Sequence, residues 1–143
     1  MIHSIEIENF KAFGQRVRIP LAPITLIFGQ NSAGKSSILH GLNLLKQTRE
    51  SREAGALLLP RTEKGIVDLG SFQELLFNHD LKNVLTFKIE SSTAFNRSSR
   101  FWPSPLKRTA LELSFSRPSL EGEVQLNGIN VFLMDPNDCL AKF

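Results

Sequence analysis

The sequence predicts an α/β fold in which a strand, a glycine-bounded loop and a helix precede a part rich in antiparallel strands. The first observation is an apolar run over residues 24–28, followed by a loop with glycine at both ends and then by an amphipathic stretch. The second is a set of segments beyond residue 83 in which apolar and polar residues alternate, as in half-buried strands. A chain of 143 residues is long enough for one domain with a hydrophobic core, so a single domain over residues 1–143 is expected.

The first 48 residues are expected to form three strands and one helix. Residues 2–8 alternate in polarity and predict a strand, and residues 17–21 predict a second one that Pro20 and Pro23 end. Residues 24–28 are nearly all apolar, which predicts a strand buried on both faces. A helix over residues 35–48 would place four apolar side chains on one face: Ile38, Leu39, Leu42 and Leu45.

The remaining chain divides into a connector over residues 49–83 and a β-rich lobe over residues 84–143. Ser71 and Glu74 have the spacing of a capping box, which predicts a short helix in the connector. In the lobe, residues 84–90 and 109–115 alternate as strands do. Two further short strands flank the Asn-Gly pair at residues 127–128, a dipeptide that favours a hairpin turn.

Composition places the chain among soluble proteins of a reducing compartment. The formal net charge is +3, which suits anionic ligands but is too small to indicate nucleic acid by itself. Cys139 is the single cysteine, so no disulfide can form within the chain. The N-terminus lacks a signal-peptide core, and no apolar run reaches membrane-spanning length. A cytoplasmic protein without a membrane partner is therefore expected.

The glycine-bounded loop matches a phosphate-binding pattern. Gly29 to Ser36 fits G-x-x-x-x-G-K-[ST], in which the glycines allow consecutive backbone N–H groups to turn toward phosphate oxygens. The helix that follows adds a partial positive charge at its N-terminus. In such a loop, Lys35 would reach the β- and γ-phosphates and the Ser36 hydroxyl would ligate Mg²⁺. The predicted nucleotide-binding residues of the loop are Gly29, Gln30, Asn31, Ser32, Ala33, Gly34, Lys35, Ser36 and Ser37.

The first 48 residues also resemble a known family. Asn-Phe-Lys-Ala-Phe-Gly at residues 9–14 and Pro-Ile-Thr-Leu-Ile-Phe-Gly-Gln-Asn-Ser-Ala-Gly-Lys-Ser-Ser-Ile-Leu at residues 23–39 look like the start of an ABC-type ATPase head. More narrowly, they resemble the SMC/RecF/OLD-like AAA family ATPases of DNA repair and phage defence. The likeness is weaker over residues 49–90, where Gly-Ile-Val-Asp-Leu-Gly-Ser-Phe at residues 65–72 is also similar. The resemblance implies a P-loop NTPase head that binds ATP and Mg²⁺ and packs an antiparallel lobe beside the nucleotide.

Three further residues are site candidates because of this resemblance, and each has a plainer alternative. Lys11 occupies a position where the family often has a basic residue near the nucleotide, or it is a solvated lysine in a turn. Gln73 follows the loop helix, as does the family's glutamine that contacts Mg²⁺ and water, or it is a surface residue. Asp135 ends an apolar run, as the family's second Mg²⁺ ligand does, but Pro136 stands where the catalytic glutamate is expected. The strand of a hairpin explains that run more simply.

A basic segment between Glu90 and Glu112 is the remaining compositional outlier. Basic and aromatic residues interleave there, a combination that can track a nucleic-acid strand. Its serines and prolines fit a plain insertion in the β lobe better. The basic residues are Arg97, Arg100, Lys107 and Arg108, and the aromatic ones are Phe95, Phe101 and Trp102.

Two classes of function remain open on the sequence alone. The first is an ATPase that gates a nuclease or a DNA-bound partner through nucleotide-driven dimerisation of its head. The second is a non-catalytic nucleotide-binding or interaction module that a partner subunit completes. The family's C-terminal motifs do not appear before Phe143, so the chain is expected to lack the second half of the head, to bind nucleotide weakly and not to turn it over alone. A GTPase is disfavoured because the sequence has no Asn-Lys-x-Asp motif.

Overall fold

The computed structural model describes residues 1–31, 33–51, 57–61, 65–92, 108–119 and 121–134. A short 3₁₀ turn over Phe77–His79 follows the second helix. The helices and strands, in chain order, are β1 (Ile2–Glu8), β2 (Val17–Pro20), α1 (Lys35–Glu50), α2 (Phe72–Leu75), β3 (Leu85–Ser91), β4 (Arg108–Ser116) and β5 (Gln125–Met134).

The five strands form one antiparallel sheet in the order β2-β1-β3-β4-β5. β1 lies inside the sheet, where Ile5 pairs with Ile19 of β2 on one side and with Ile89 of β3 on the other. The strands predicted over residues 2–8, 17–21, 84–90 and 109–115 are therefore confirmed to within a residue or two. β3, β4 and β5 of the second part of the chain lie in the same antiparallel sheet as β1 and β2.

The core lies on one face of this sheet, beneath α1. Ile5, Ile7 and Phe87 are buried there, and the ring of Phe10 meets that of Phe87 edge-on at 5.3 Å between centroids. α1 approaches through Gly41, where an added Cβ would lie 3.1 Å from Cε1 of Phe87. A glycine at this position lets the helix backbone come close to the sheet.

The buried stripe of α1 differs from the predicted one. Leu39 was expected to face the core, but it is 57% exposed. The helix turns toward the sheet around Gly41, because the large rings of Phe10 and Phe87 fill the space that a side chain would need there. The residues buried along the stripe are Ser37, Ile38, Gly41, Leu44 and Gln47.

The prediction of a buried strand over residues 24–28 is wrong. These residues are assigned to no strand, and Ile24, Leu26 and Phe28 are 83%, 73% and 84% exposed. All strand pairs in the described residues are antiparallel and lie elsewhere in the chain, so this apolar segment has no neighbouring strand to cover it. A strand buried on both faces requires pairing partners and layers on both sides.

The hairpin predicted at Asn127-Gly128 is also wrong. β5 runs without a turn from Gln125 to Met134, and its register against β4 shifts between Ser114 and Phe115. The Asn-Gly pair thus lies at an irregularity of the ladder, a place where glycine is common in strands. β4 offers apolar partners along the strand, for example Leu113 opposite Ile129, and this pairing outweighs the local turn preference.

The second face of the sheet carries a network of charged side chains centred on Glu90. Its carboxylate accepts hydrogen bonds from Ser4 (3.0 Å), Arg18 (2.8 Å) and Arg108 (3.0 Å), so it links β3 to β1, β2 and β4. Burial by itself raises the pKa of Glu90, but the hydrogen bonds and the two guanidinium charges together lower it. The buried carboxylate therefore stays ionised and paired.

Polar side chains at the end of α1 hold the connector. The buried Gln47 amide donates to the carbonyl of Leu59 (2.7 Å) and accepts from the N–H of Val67 (3.1 Å). The predicted short helix is confirmed as α2, and Ser71 and Glu74 form the predicted capping box. No helix in the described ranges has the length and apolarity that a membrane crossing requires.

Candidate functional site

The glycine-bounded loop enters α1 through a left-handed residue. Gly34 is the N-cap of the helix and has φ +86°, a conformation that side-chain-bearing residues rarely adopt. A Cβ at this position would lie 3.0 Å from the Cβ of Ala12 and 3.1 Å from Cζ of Phe13. Both the backbone angle, which is local to the loop, and the packing against the turn at Ala12 and Phe13 therefore favour glycine.

The first turn of α1 presents backbone donors next to this glycine. The first N–H groups of a helix lack the usual partner one turn earlier, and they carry the positive end of its dipole. The Ser37 N–H donates to the carbonyl of Gly34 (3.0 Å), so the candidate donors are the N–H groups of Lys35 and Ser36. No acidic side chain lies in the first turn of this sixteen-residue helix. Its N-terminus is thus electrostatically suited to an anion.

Lys35 adds a positive charge across the same loop. Its ammonium group donates to the carbonyls of Gly29 (2.8 Å) and Gln30, six and five residues earlier in the chain. The side chain therefore runs from the helical end of the loop back to its beginning. Both contacts are hydrogen bonds to neutral carbonyls, which an anionic oxygen can replace with stronger charge-assisted ones.

A pocket of about 280 Å³ lies in front of the loop and the first turn of α1. This volume is at or below the roughly 300 Å³ lower end of ordinary small-molecule sites, so the pocket suits a small polar group better than a whole cofactor. The described residues that line the pocket are Ala12, Asn31, Gly34, Lys35, Ser36 and Ser37. One lysine, one amide and two hydroxyls supply polar side-chain groups, and none of these six residues is a carboxylate.

A tight turn after β1 forms the wall opposite the loop. Phe10 and Phe13 exchange two backbone hydrogen bonds, 2.9 Å and 2.8 Å long, and Lys11 between them has φ +48°. The N–H of Lys11 also donates to the carbonyl of Leu75 at the end of α2 (2.7 Å). These bonds fix Ala12 against Gly34, so the turn connects the pocket to the sheet and to α2.

The donor set fits Mg²⁺ only in part. Ser36 lines the pocket and is exposed, so its hydroxyl is available as a ligand. Mg²⁺ commonly takes one or two protein oxygens and completes its shell with water and substrate phosphates. Among the described residues, no group of three or more His, Cys, Asp or Glu side chains could hold a metal ion by itself. A metal at Ser36 would therefore depend on phosphate oxygens for its remaining ligands.

The structure brings some of the predicted site residues together at the pocket. Of the predicted loop residues, the ones that line it are Asn31, Gly34, Lys35, Ser36 and Ser37. Gly29 and Gln30 contact the pocket's lysine through their carbonyls. Ser32 lies outside the described residues.

The other predicted site residues lie apart from the pocket or outside the described chain. Lys11 is held by its backbone one position from the pocket wall, and its side chain is not among the groups lining the pocket. Gln73 donates to the carbonyl of His79 (3.0 Å) in the turn after α2 and does not line the pocket either. Asp135 lies outside the described residues.

The basic segment is outside the described residues except at its end. Of its charged members, Arg108 begins β4 and donates to Glu90 on the charged face of the sheet. The nucleic-acid hypothesis for the segment remains a prediction.

Of the described residues that line the pocket, Ala12 is the one that the sequence did not single out. It stands between Lys11 and Phe13 in a turn that precedes the loop by more than fifteen residues. Ala12 lines the pocket because the fold brings it next to Gly34. A small residue in a turn has no sequence pattern that would predict such a contact. The aromatic residues of the same turn belong to the core, since Phe10 is fully buried and Phe13 packs against it.

A comparison with protein families gives a match that includes most of the elements around the pocket. A family model described as an AAA ATPase domain matches residues 1–101, which include the glycine-bounded loop, α1, the turn after β1 and the strands β1 to β3. Curated proteins give no match.

Proposed function

Since the chain belongs to the AAA ATPase domain family, whose members bind ATP, we propose that its loop over residues 29–37 holds the phosphate chain of Mg²⁺·ATP. The observation that carries this proposal is the arrangement around Gly34. A left-handed glycine opens a sixteen-residue helix, and Lys35 extends back across the loop that precedes it. Together these features direct backbone donors and one ammonium group at a single small pocket.

Each loop residue has a distinct part in the proposed binding. The N–H groups at the start of α1 donate to phosphate oxygens, and the Lys35 ammonium exchanges the carbonyls of Gly29 and Gln30 for the β- and γ-phosphates. The Ser36 hydroxyl ligates Mg²⁺, which would bridge phosphate oxygens and neutralise part of their charge. The pocket is small, about 280 Å³, so the ribose and base would extend beyond the groups that line it.

Hydrolysis requires a group that orients or activates water, in addition to charge stabilisation. The described residues that line the pocket contain no carboxylate or imidazole. We propose that this group comes from outside the pocket, with Gln73 and Asp135 as candidates within the chain. A second head or a partner subunit would be the source otherwise.

For the whole protein, we propose that nucleotide binding gates a DNA-related activity, such as that of a nuclease or a repair partner. Membership of the AAA ATPase domain family supports nucleotide binding, and the SMC/RecF/OLD-like resemblance of residues 1–48 supports the narrower role. DNA-stimulated ATP turnover would support gating. Turnover that ignores DNA would count against it.

The second candidate is a non-catalytic nucleotide-binding module. The absence of a carboxylate among the described pocket residues favours it, as does the exposure of Ile24, Leu26 and Phe28 directly before the loop. An apolar segment of this kind is a place where a partner can complete the fold. The two candidates differ in turnover, because only the first predicts that a completed complex hydrolyses ATP.

Calorimetric titration of Mg²⁺·ATP into the purified chain tests the proposal. Lys35→Ala should weaken binding by about 2–3 kcal/mol, the range of a lost charge-assisted hydrogen bond. Lys46→Ala is the matched control, because Lys46 is an exposed lysine of the same helix, far from its N-terminus, and the affinity should not change. Equal affinities for the two variants would contradict the proposed site. Phosphate release measured on the same samples separates the ATPase from the non-catalytic module.

A further inference from the structure

β5 forms an open edge of the sheet. It pairs with β4 on one side, and no strand among the described residues pairs with its other side. The outer side of such a strand presents a row of backbone N–H and C=O groups that can accept another strand. This edge lies at the opposite end of the sheet from β2.

The two edges of the sheet differ in how they are protected. β2 has four residues, contains Arg18 and ends at Pro20. β5 has ten residues, and residues 125–134 include neither a charged side chain nor proline. Short length, charge and proline are the usual devices that prevent strand-to-strand association. β2 has all three, and β5 has none.

Apolar side chains extend the open edge onto the core-side face of the sheet. Ile129 and Val131 are 56% and 64% exposed, and Leu111 of β4, which pairs with Val131, is also exposed. We call these three residues the edge patch. On the charged face, Phe132 is exposed in part and lies 4.7 Å from the ammonium of Lys88. Both faces of β5 therefore offer apolar contact beside backbone groups that no other described strand pairs with.

We propose that β5 pairs in antiparallel orientation with β5 of a second copy of this chain, about a twofold axis at Asn130. This register places Ile129 of each copy opposite Val131 of the other, so that the two edge patches become continuous. On the other face it places Phe132 opposite Gly128, which has no atom within 4 Å of the position of a Cβ. Aromatic side chains commonly cover a glycine in this way.

The lack of charge along β5 favours a second copy as the occupant over a charged strand. Self-pairing of a strand whose charged residues share one sign places like charges near each other, and such pairs are destabilising. Residues 125–134 avoid this problem because they are uncharged. A charged partner strand would find no complementary charge along this edge.

The proposed dimer is independent of the nucleotide site. Lys35 and the pocket lie at the start of α1, and neither contributes to β5. The dimer should therefore form without ATP and persist in Lys35→Ala. A failure to bind ATP would therefore leave the proposed dimer standing, and a failure to dimerise would leave the proposed ATP site standing.

Sedimentation velocity over a series of concentrations tests the association. The full 143-residue chain should convert from monomer to dimer as concentration rises, with or without Mg²⁺·ATP. Val131→Lys should raise the dimer dissociation constant about tenfold or more, because each lysine would face the apolar Ile129 of the other copy. Val17→Lys is the matched control at the opposite edge, where Val17 is 37% exposed, and it should dimerise as the parent does. A monomer at all concentrations, or equal dimerisation of Val131→Lys, overturns the proposal.

A cysteine at the proposed axis tests the register. Residues directly opposite each other on antiparallel strands have Cα atoms about 4.5–5.5 Å apart, within the range that a disulfide spans. In a Cys139→Ser background, Asn130→Cys should form a covalent dimer under mild oxidation, and Val17→Cys should remain a monomer on a non-reducing gel. Equal cross-linking of the two variants, or none at residue 130, overturns the register.

Discussion

Gly34 carries the strictest backbone requirement in the candidate site. Its φ of +86° and its contacts with Ala12 and Phe13 fix the direction in which the loop enters α1. The same geometry determines where Lys35 begins and where the first helical N–H groups lie. A single glycine thus controls the position of every proposed phosphate ligand that follows it.

Replacement of this glycine should impair both stability and binding. We expect Gly34→Ala to lower the free energy of unfolding by about 1–2 kcal/mol, the cost of a left-handed conformation for an L-residue. ATP affinity should fall as well, because the helix N-terminus would shift. Urea unfolding and calorimetry measure the two effects.

Gly128→Ala is the control for this substitution. A Cβ at residue 128 would meet no atom within 4 Å, and the residue has no positive φ, so stability should change little. If both variants lost a similar amount of unfolding free energy, the loss in Gly34→Ala would not come from its left-handed backbone conformation.

At the scale of elements, α1 is the support on which both the site and the connector depend. Its N-terminus forms the pocket, its middle packs on β1 and β3 through Gly41, and its end holds the connector through Gln47. The Thr48 hydroxyl adds to this hold, since it accepts from the N–H of Leu59 (3.0 Å). The helix therefore joins three regions that lie far apart in sequence.

Truncation of Gln47 tests the hold on the connector. Gln47→Ala should lower the free energy of unfolding by about 1–3 kcal/mol, because the carbonyl of Leu59 and the N–H of Val67 lose their partner in a part-buried setting. Limited proteolysis should cut the connector faster in this variant. Lys46→Ala, one residue earlier and exposed, should leave both measurements unchanged. Unchanged proteolysis of Gln47→Ala would show that the connector is held by other contacts.

Elements set by local pattern could be predicted from the sequence, and those set by distant contacts could not. The alternation in β1, β3 and β4 and the capping box at Ser71 are local features, and the structure agrees with them. The exposure of Leu39 depends on which stripe of α1 meets the rings of Phe10 and Phe87. Asn127-Gly128 favours a turn locally, but pairing with β4 along the whole of β5 overrides that preference.

The candidate site likewise has features that the sequence could predict and features that it could not. The spacing of Gly29, Gly34 and Lys35 is enough to indicate a phosphate-binding loop, because the chemistry of such a loop depends on neighbours in sequence. The wall formed by Ala12 depends on a turn that the chain brings back across the fold, and no short pattern marks it. Residues 24–28 were predicted to be buried because they are nearly all apolar, yet burial of a strand on both faces depends on neighbouring strands that the described residues do not supply.

At the scale of the whole molecule, the charged face should make stability depend on acidic pH. The folded state lowers the pKa of Glu90, so its contribution to stability is present above the unfolded pKa, about 4.3 for glutamate, and is lost as pH falls through the folded value. Glu90→Gln should reduce stability at neutral pH, because Arg18 and Arg108 would lose a charged partner. The variant should also lose part of the parent's acid sensitivity below the pKa of an unfolded glutamate, where the parent's Glu90 takes up a proton.

Urea unfolding at a series of pH values measures this prediction. Glu50→Gln is the control, since Glu50 is exposed at the end of α1 and its contact with Arg49 is at the surface. If the unfolding free energy of Glu90→Gln depended on acidic pH as strongly as that of the parent, groups other than Glu90 would be responsible for the dependence.

Because residues 24–28 are exposed, removal of a phenylalanine ring there should cost much less stability than removal of one in the core. Phe28→Ala should change the free energy of unfolding by less than about 0.5 kcal/mol, as substitutions at exposed positions do. Phe87→Ala should cost about 3–5 kcal/mol, because its ring is buried between α1 and the sheet. Chemical denaturation compares the two. A large loss in Phe28→Ala would show that residues 24–28 are covered in solution, either within the chain or by another copy.

Competition binding tests the central claim most directly, namely that the loop over residues 29–37 holds a phosphate chain. Inorganic triphosphate with Mg²⁺ contains that chain and nothing else, and AMP contains the nucleoside with one phosphate. The account predicts that triphosphate displaces a fluorescent ATP analogue from the parent chain, that AMP does so far more weakly, and that Lys35→Ala binds neither triphosphate nor the analogue well. Displacement by AMP as effective as by triphosphate, or triphosphate binding that survives Lys35→Ala, would contradict it.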